Sequence, residues 1–115
     1  SRLTLERAEF IARAWGEERD GGVTVRSDPE HKRVGPLLYR REEAEACWQN
    51  ITAPTLLMFG ARSEYLARLG PDNDGEKLRS RFRNAELVTL ADCGHMLHHE
   101  EPQRVADTLT RFFGR

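Results

Sequence analysis

Two kinds of hydrophobic spacing divide the chain. In the first half apolar positions are sparse and recur at helical intervals. The segment "TLERAEFIARAW" places Leu5, Ala8, Ile11, Ala12 and Trp15 on one face, behind Thr4 as a candidate N-cap. "DGG" breaks that helix, and "VTVRS" then alternates as a short strand does. Pro29, Gly35 and Pro36 hold "DPEHKRVGPLLY" as a loop, with a turn at Asp28 and Pro29. "REEAEACW" predicts a helix whose acidic first turn meets the positive end of its dipole.

The second half is patterned differently. "PTLLMFG" is a continuous apolar run ended by glycine, the pattern of a strand covered on both faces in a parallel sheet. "GEKLRSRF" predicts a short helix and "AELVTL" a second strand. Pro102 opens a final helix, expected to bury Val105, Ala106, Leu109, Phe112 and Phe113 on one side. Strand, helix and strand in this order imply one right-handed parallel crossover. Two strands alone do not make a sheet that buries both faces, so the first needs a neighbour on each side. The sequence supplies one of them, and on physical grounds it reads as the end of a larger α/β fold.

Composition narrows the function classes. The 115 residues suit one domain. With 38% hydrophobic against 32% charged residues, the chain is poor in core-forming material for its length. A net charge of −1 without an arginine run argues against nucleic-acid binding. The longest apolar run, "APTLLMFGA", is too short for a membrane span. Cys47 and Cys93 lack metal-type spacing and are expected as free thiols in a reducing compartment. No charged-then-apolar leader is visible, and free thiols in a reducing compartment make the expected location cytoplasmic.

The candidate chemistry lies in two strand-end loops. "FGARSEYL" leaves the first apolar strand and presents Glu64, and "ADCGHMLHH" leaves the second and presents His95. Sites in parallel sheets form beyond the carboxyl ends of the strands, and adjacent strands put these loops side by side. A carboxylate that accepts a histidine's Nδ1 proton fixes the tautomer and supports the imidazolium formed in catalysis. A nucleophile is absent, because no G-x-S-x-G elbow, nor its Cys or Asp equivalent, occurs in the sequence. A metal site could recruit His95, His98, His99 and Cys93, with Asp92. Adjacent His98 and His99 point apart, however, and no second ligand pair exists elsewhere. Trp15, Tyr39 and Trp48 are read as packing residues rather than an acyl pocket, and Arg26, Lys32, Arg33 and Arg40 as a solvated face.

From "ITAPTLLMFGARSEYL" through "CGHMLHHEEPQRVADTLTRFF" the chain resembles the C-terminal end of the α/β-hydrolase fold family. Ile51, Pro54, Thr55, Leu56 and Gly60 match that family's strand before the catalytic acid. Gly94, His95, Glu100 or Glu101, Pro102 and Phe112 match its histidine loop and last helix. Upstream, "LTLERAEFIARAW" to "REEAEACW" is similar, less specifically, to the lid that many such enzymes insert before this strand. Many relatives carry Asp three or four positions after the glycine, where this chain has Ser63 and Glu64. Glu64 is therefore the expected acid, with Asp72 or Asp74 as substitutes.

The resemblance implies an α/β fold fragment, with residues 1–50 a partial lid and residues 51–115 the strand–helix–strand–helix end of the core. It implies a serine hydrolase acting on an ester or similar acyl bond of a small molecule. His95 would be the general base and Glu64 its orienting acid, with no cofactor or metal. The partner for the open strand 55–59 would be the missing N-terminal half, or a second copy in a homodimer. The alternative is a short non-catalytic interaction module that keeps the end of the same fold.

Overall fold

The structure, a computed structural model, describes residues 3–66, 68, 70 and 74–114. It mixes α-helices with strands in two separate two-stranded sheets. The chain forms two compact units, Leu3–Tyr39 and the segment from Arg40 onward.

The first unit begins with α1 (Leu5–Trp15), whose first turn is capped by Thr4, its Oγ1 accepting the Arg7 N–H at 3.3 Å. The helix passes directly into β1 (Gly16–Arg19), which pairs antiparallel with β2 (Gly22–Val25). Only glycine serves at the junction, since a Cβ on Gly16 would stand 2.8 Å from the Ala12 carbonyl oxygen. Arg26 closes the hairpin onto the helix end, its N–H donating to Trp15 O at 2.8 Å and its Nε to Gly16 O at 2.9 Å.

Two expectations need correction here. "DGG" is more than a helix breaker: Asp20 (φ 49°) and Gly21 (φ 78°) form the tight turn of a hairpin. Asp-Gly is a favoured pair for two left-handed turn residues. The first strand of that hairpin, "GEER", has no apolar alternation to announce it. The loop after β2 also contains a short 3₁₀ turn, Pro29–Lys32, capped by Asp28 Oδ1 accepting the Glu30 N–H at 2.9 Å. Of the apolar face expected on α1, Ala8 and Ile11 are half-buried while Leu5, Ala12 and Trp15 are exposed. A two-stranded hairpin has too little area to cover the rest.

The second unit holds α2 (Arg41–Gln49), β3 (Thr55–Gly60), α3 (Gly75–Arg79), β4 (Ala85–Leu90), α4 (Leu97–Glu100) and α5 (Pro102–Phe113). Strands β3 and β4 run parallel, in register from Thr55 opposite Ala85 to Gly60 opposite Leu90. Side chains alternate across such a pair. On one face Leu87 and Phe59 pack where a Cβ on Gly75 of α3 would lie, 3.1 Å and 3.7 Å away. Glu86, pointing to the other face, reaches Arg111 of α5 at 3.4 Å. Helix α2 is fixed by the stacking of Trp48 on Phe82, with ring centroids 5.5 Å apart, and by Glu45, which pairs with Arg41 and Arg81. Trp48 is thus a packing residue. The α3 helix is shorter than the sequence predicts and stops at Arg79. Helix α5 starts at Pro102 as expected, but Val105 and Phe112 are half-buried while Ala106, Leu109 and Phe113 face solvent. A sheet two strands wide cannot cover the whole stripe.

Full burial is concentrated at the carboxyl ends of the strands. Leu90 is 3% exposed and Cys93 0%, and Gly60 and Gly94 are buried beside them. The reason is a close crossing of backbones. A Cβ on Gly60 would lie against the Gly94 carbonyl oxygen and 2.8 Å from the Cys93 carbonyl carbon. Glycine is the residue that lets β3 end beneath the loop that leaves β4.

Gly60→Ala would force that loop away, and we expect a loss of about 3 kcal/mol or more in denaturant unfolding, since backbone carbonyls cannot yield as a side-chain tip does. The thiols should behave oppositely. Cys47 is exposed, whereas burial and the carboxylates of Glu101 and Glu100 push the Cys93 thiol above its ordinary range. A disulfide reagent at pH 8 should label Cys47 promptly and Cys93 only after denaturant is added. Equal labelling rates in the folded protein would contradict this packing.

Candidate active site

Three interactions tie the two strand-end loops together. The Ala61 N–H donates to Leu90 O at 2.9 Å, extending the ladder one step past the strands. The Arg62 N–H donates to Cys93 O at 2.9 Å. The Arg62 guanidinium then reaches the Asp92 carboxylate at 3.0 Å, on the surface. The loop carrying Glu64 and the loop carrying His95 are therefore held against each other by backbone, with the side-chain pair outside.

His95 is exposed beyond this crossing. Its ring packs against Tyr65, with centroids 4.2 Å apart and planes tilted by 41°. The Arg68 guanidinium lies over the same tyrosine, 4.5 Å from its centroid. A cavity of about 240 Å³ opens beside the histidine, lined by Met58, Phe59, Ser63, Tyr65, Leu66 and Leu97 as well as Gly60 and His95. Apart from the serine, the tyrosine hydroxyl and the imidazole, its wall is apolar, which suits an apolar group lying beside the imidazole.

Glu64 sits on the exposed turn between Ser63 and Tyr65. Among the described residues no hydrogen bond or ion pair joins it to His95, although the residue next to it touches the histidine ring. Asp74 is engaged elsewhere: its Oδ1 caps α3 by accepting the Glu76 N–H at 2.9 Å. Asp72 lies outside the described residues. Ser63 lines the cavity with His95, but its Oγ accepts the Tyr65 N–H at 3.3 Å in a local turn. Among the described residues no hydrogen bond links that hydroxyl to the imidazole, the contact a nucleophile–base pair would make.

The histidine loop is anchored from behind by Glu100. Its Oε2 accepts the Gly94 N–H at 2.7 Å in a half-buried setting. The two acidic residues before Pro102 are thereby distinguished, because Glu100 turns back to the loop whereas Glu101 stands at the N-terminus of α5. His98 and His99 belong to α4 and, contrary to the expectation that they point apart, their rings pack together with centroids 4.1 Å apart. Partial desolvation against its neighbours, then the charges of His99 and His95, lower the pKa of His98 below its ordinary value, although the side chain is exposed. Among the described residues no three His, Cys, Asp or Glu side chains converge on a metal position.

Sequence reasoning singled out His95 and Glu64 but missed Tyr65 as the ring against the histidine. No periodicity or motif marks that contact. It also left the role of Glu100 open, because the bond to Gly94 forms only where α4 turns back on the loop.

No protein-family model matches the chain, and no solved structure matches it. Two curated proteins are partly similar. The mouse "sn-1-specific diacylglycerol lipase ABHD11" is 33% identical over 61 residues, which is 53% of this chain and 19% of that protein. A Haemophilus influenzae protein named "Putative esterase/lipase" is 30% identical over 70 residues, 59% of this chain and 23% of that protein. The matched part thus amounts to about a fifth of the length of these relatives. At that coarse level the similarities relate the chain to the α/β-hydrolases.

Proposed function

We propose that this chain is the C-terminal part of an α/β-hydrolase that cleaves an ester or similar acyl bond, with residues 1–50 belonging to its lid. His95 is the general base that takes the nucleophile's proton and returns it to the leaving group. Glu64 is the acid that orients it. The nucleophile and the oxyanion donors come from a part of the enzyme outside these residues. The observation that carries the reading is the loop crossing at Gly60, which sets His95 at the mouth of an apolar cavity beside the loop that bears Glu64. The names of the partly similar proteins, a diacylglycerol lipase and an esterase/lipase, support an ester as the substrate class. The reaction needs only a nucleophile, base, acid and oxyanion donors, and no cofactor enters it.

One observation favours a second reading, a non-catalytic interaction module: no hydrogen bond joins Glu64 to His95 among the described residues. Activity separates the two. The 115-residue chain alone should hydrolyse an activated ester no faster than buffer. In the longest polypeptide its gene encodes, His95→Ala and Glu64→Gln should each lower kcat on the order of 10²–10⁴-fold. Full activity in both variants, or no hydrolysis by that polypeptide, would reject the catalytic reading.

The same reading gives the outer edge of β3 a partner. Leu56, Leu57, Met58 and Phe59 are all half-buried, and an unpaired apolar edge is a template for another strand. In the intact enzyme that strand comes from the N-terminal half. In the isolated chain, a second copy pairing antiparallel through residues 55–59 is the simplest closed solution. Light scattering should then show a dimer that Met58→Lys weakens. A folded monomer at high concentration, with the lysine variant behaving identically, would show that the edge is covered another way.

A further inference from the structure

We propose that Glu100 is a positioning residue for His95, acting through a single peptide group; the functional part of the claim rests on His95 being the base. The Cys93 carbonyl and the Gly94 N–H belong to the same planar unit. Its oxygen accepts the Arg62 N–H at 2.9 Å, and its nitrogen donates to Glu100 Oε2 at 2.7 Å. Held at both ends, the plane cannot rotate, and His95 is the next residue but one along the chain from Cys93. The oxygen side of the clamp comes from the loop that carries Glu64. The nitrogen side comes from α4, which follows the histidine. The peptide therefore registers the acid loop, the base and the helix after it against one another.

Two features make the Glu100 bond more than an ordinary loop contact. Gly94 is buried, so its N–H has no water to fall back on if the carboxylate is removed. Its length of 2.7 Å is that of a charge-assisted bond, which is stronger than a neutral one. Glycine at position 94 has wide backbone freedom, so without the anchor this peptide would keep only the Arg62 bond and could turn about it. Its carbonyl, that of Cys93, and the Gly94 carbonyl of the next peptide both lie over Gly60. Losing the anchor would release the crossing at the point where the histidine leaves it.

The test compares Glu100→Ala, Glu100→Gln and the unaltered chain by NMR, in whichever assembled state the chain purifies. The Gly94 amide proton should be far downfield and slow to exchange in the unaltered chain. In Glu100→Gln, which keeps a neutral acceptor, it should move upfield but stay protected. In Glu100→Ala it should exchange at least tenfold faster, and the His95 ring signals should lose the shift caused by the Tyr65 ring, while amides within β3 and β4 stay as they were. If Glu100→Ala does not fold, Glu100→Gln decides, because an unmoved Gly94 proton there overturns the proposal. Unchanged Gly94 exchange and His95 signals in a folded Glu100→Ala overturn it equally. In the longest polypeptide its gene encodes, Glu100→Ala should lower kcat about tenfold or more with KM unchanged, and Glu100→Gln should restore most of it. An inactive unaltered polypeptide would remove the catalytic reading, and the NMR arm would still judge the clamp.

Discussion

The passage of the Cys93–Gly94 backbone over Gly60 is the constraint on which the rest of the second unit depends. It requires glycine at the last position of β3, and it buries the cysteine whose carbonyl receives the neighbouring loop. It also decides where His95 emerges. The other contacts at this end, from the Arg62–Asp92 pair to the Glu100 anchor, hold this crossing in place. A parallel pair of strands places two loops side by side in general. The crossing is what brings them into backbone contact.

Away from that point the packing is incomplete in a consistent way. Each of the four apolar residues from Leu56 to Phe59 is only half-buried, as is most of β4. Fully covering one such side chain is worth roughly 1.5–3 kcal/mol relative to exposing it, so half-burial along a whole strand leaves a substantial driving force unused. The exposed side of α5, with Leu109 and Phe113 in solvent, repeats the pattern on a helix. Strand and helix both carry more apolar surface than their neighbours within this chain can cover. That excess is the physical argument for treating the segment as part of a larger assembly.

Much of the second unit was legible in the sequence because its signals are local and strong. A continuous apolar run ended by glycine gave β3, a second run gave β4, and Pro102 marked the start of α5. The histidine loop was legible from glycine beside histidine at a strand end. Less could be read where meaning depends on distant partners. The strand "GEER" is fixed by pairing with β2 and has no periodicity of its own. The burial expected on α5 is only partly found, since an amphipathic stripe states which face is apolar and not whether anything covers it. Tyr65 meets His95 across two loops, and a contact between residues 65 and 95 leaves no trace in either local sequence. Glu100 stood in a motif, but its hydrogen bond to Gly94 is a matter of three-dimensional return.

The account stands on His95 acting as a base oriented by Glu64. The most direct measurement is a crystal structure of the longest polypeptide its gene encodes, trapped with a phosphonate ester that captures the nucleophile. The account predicts Glu64 within about 2.6–3.2 Å of His95 Nδ1, directly or through one water, and the opposite ring nitrogen facing the trapped group. A phosphonate seated away from His95, or Glu64 left in solvent while another carboxylate meets the histidine, would contradict it.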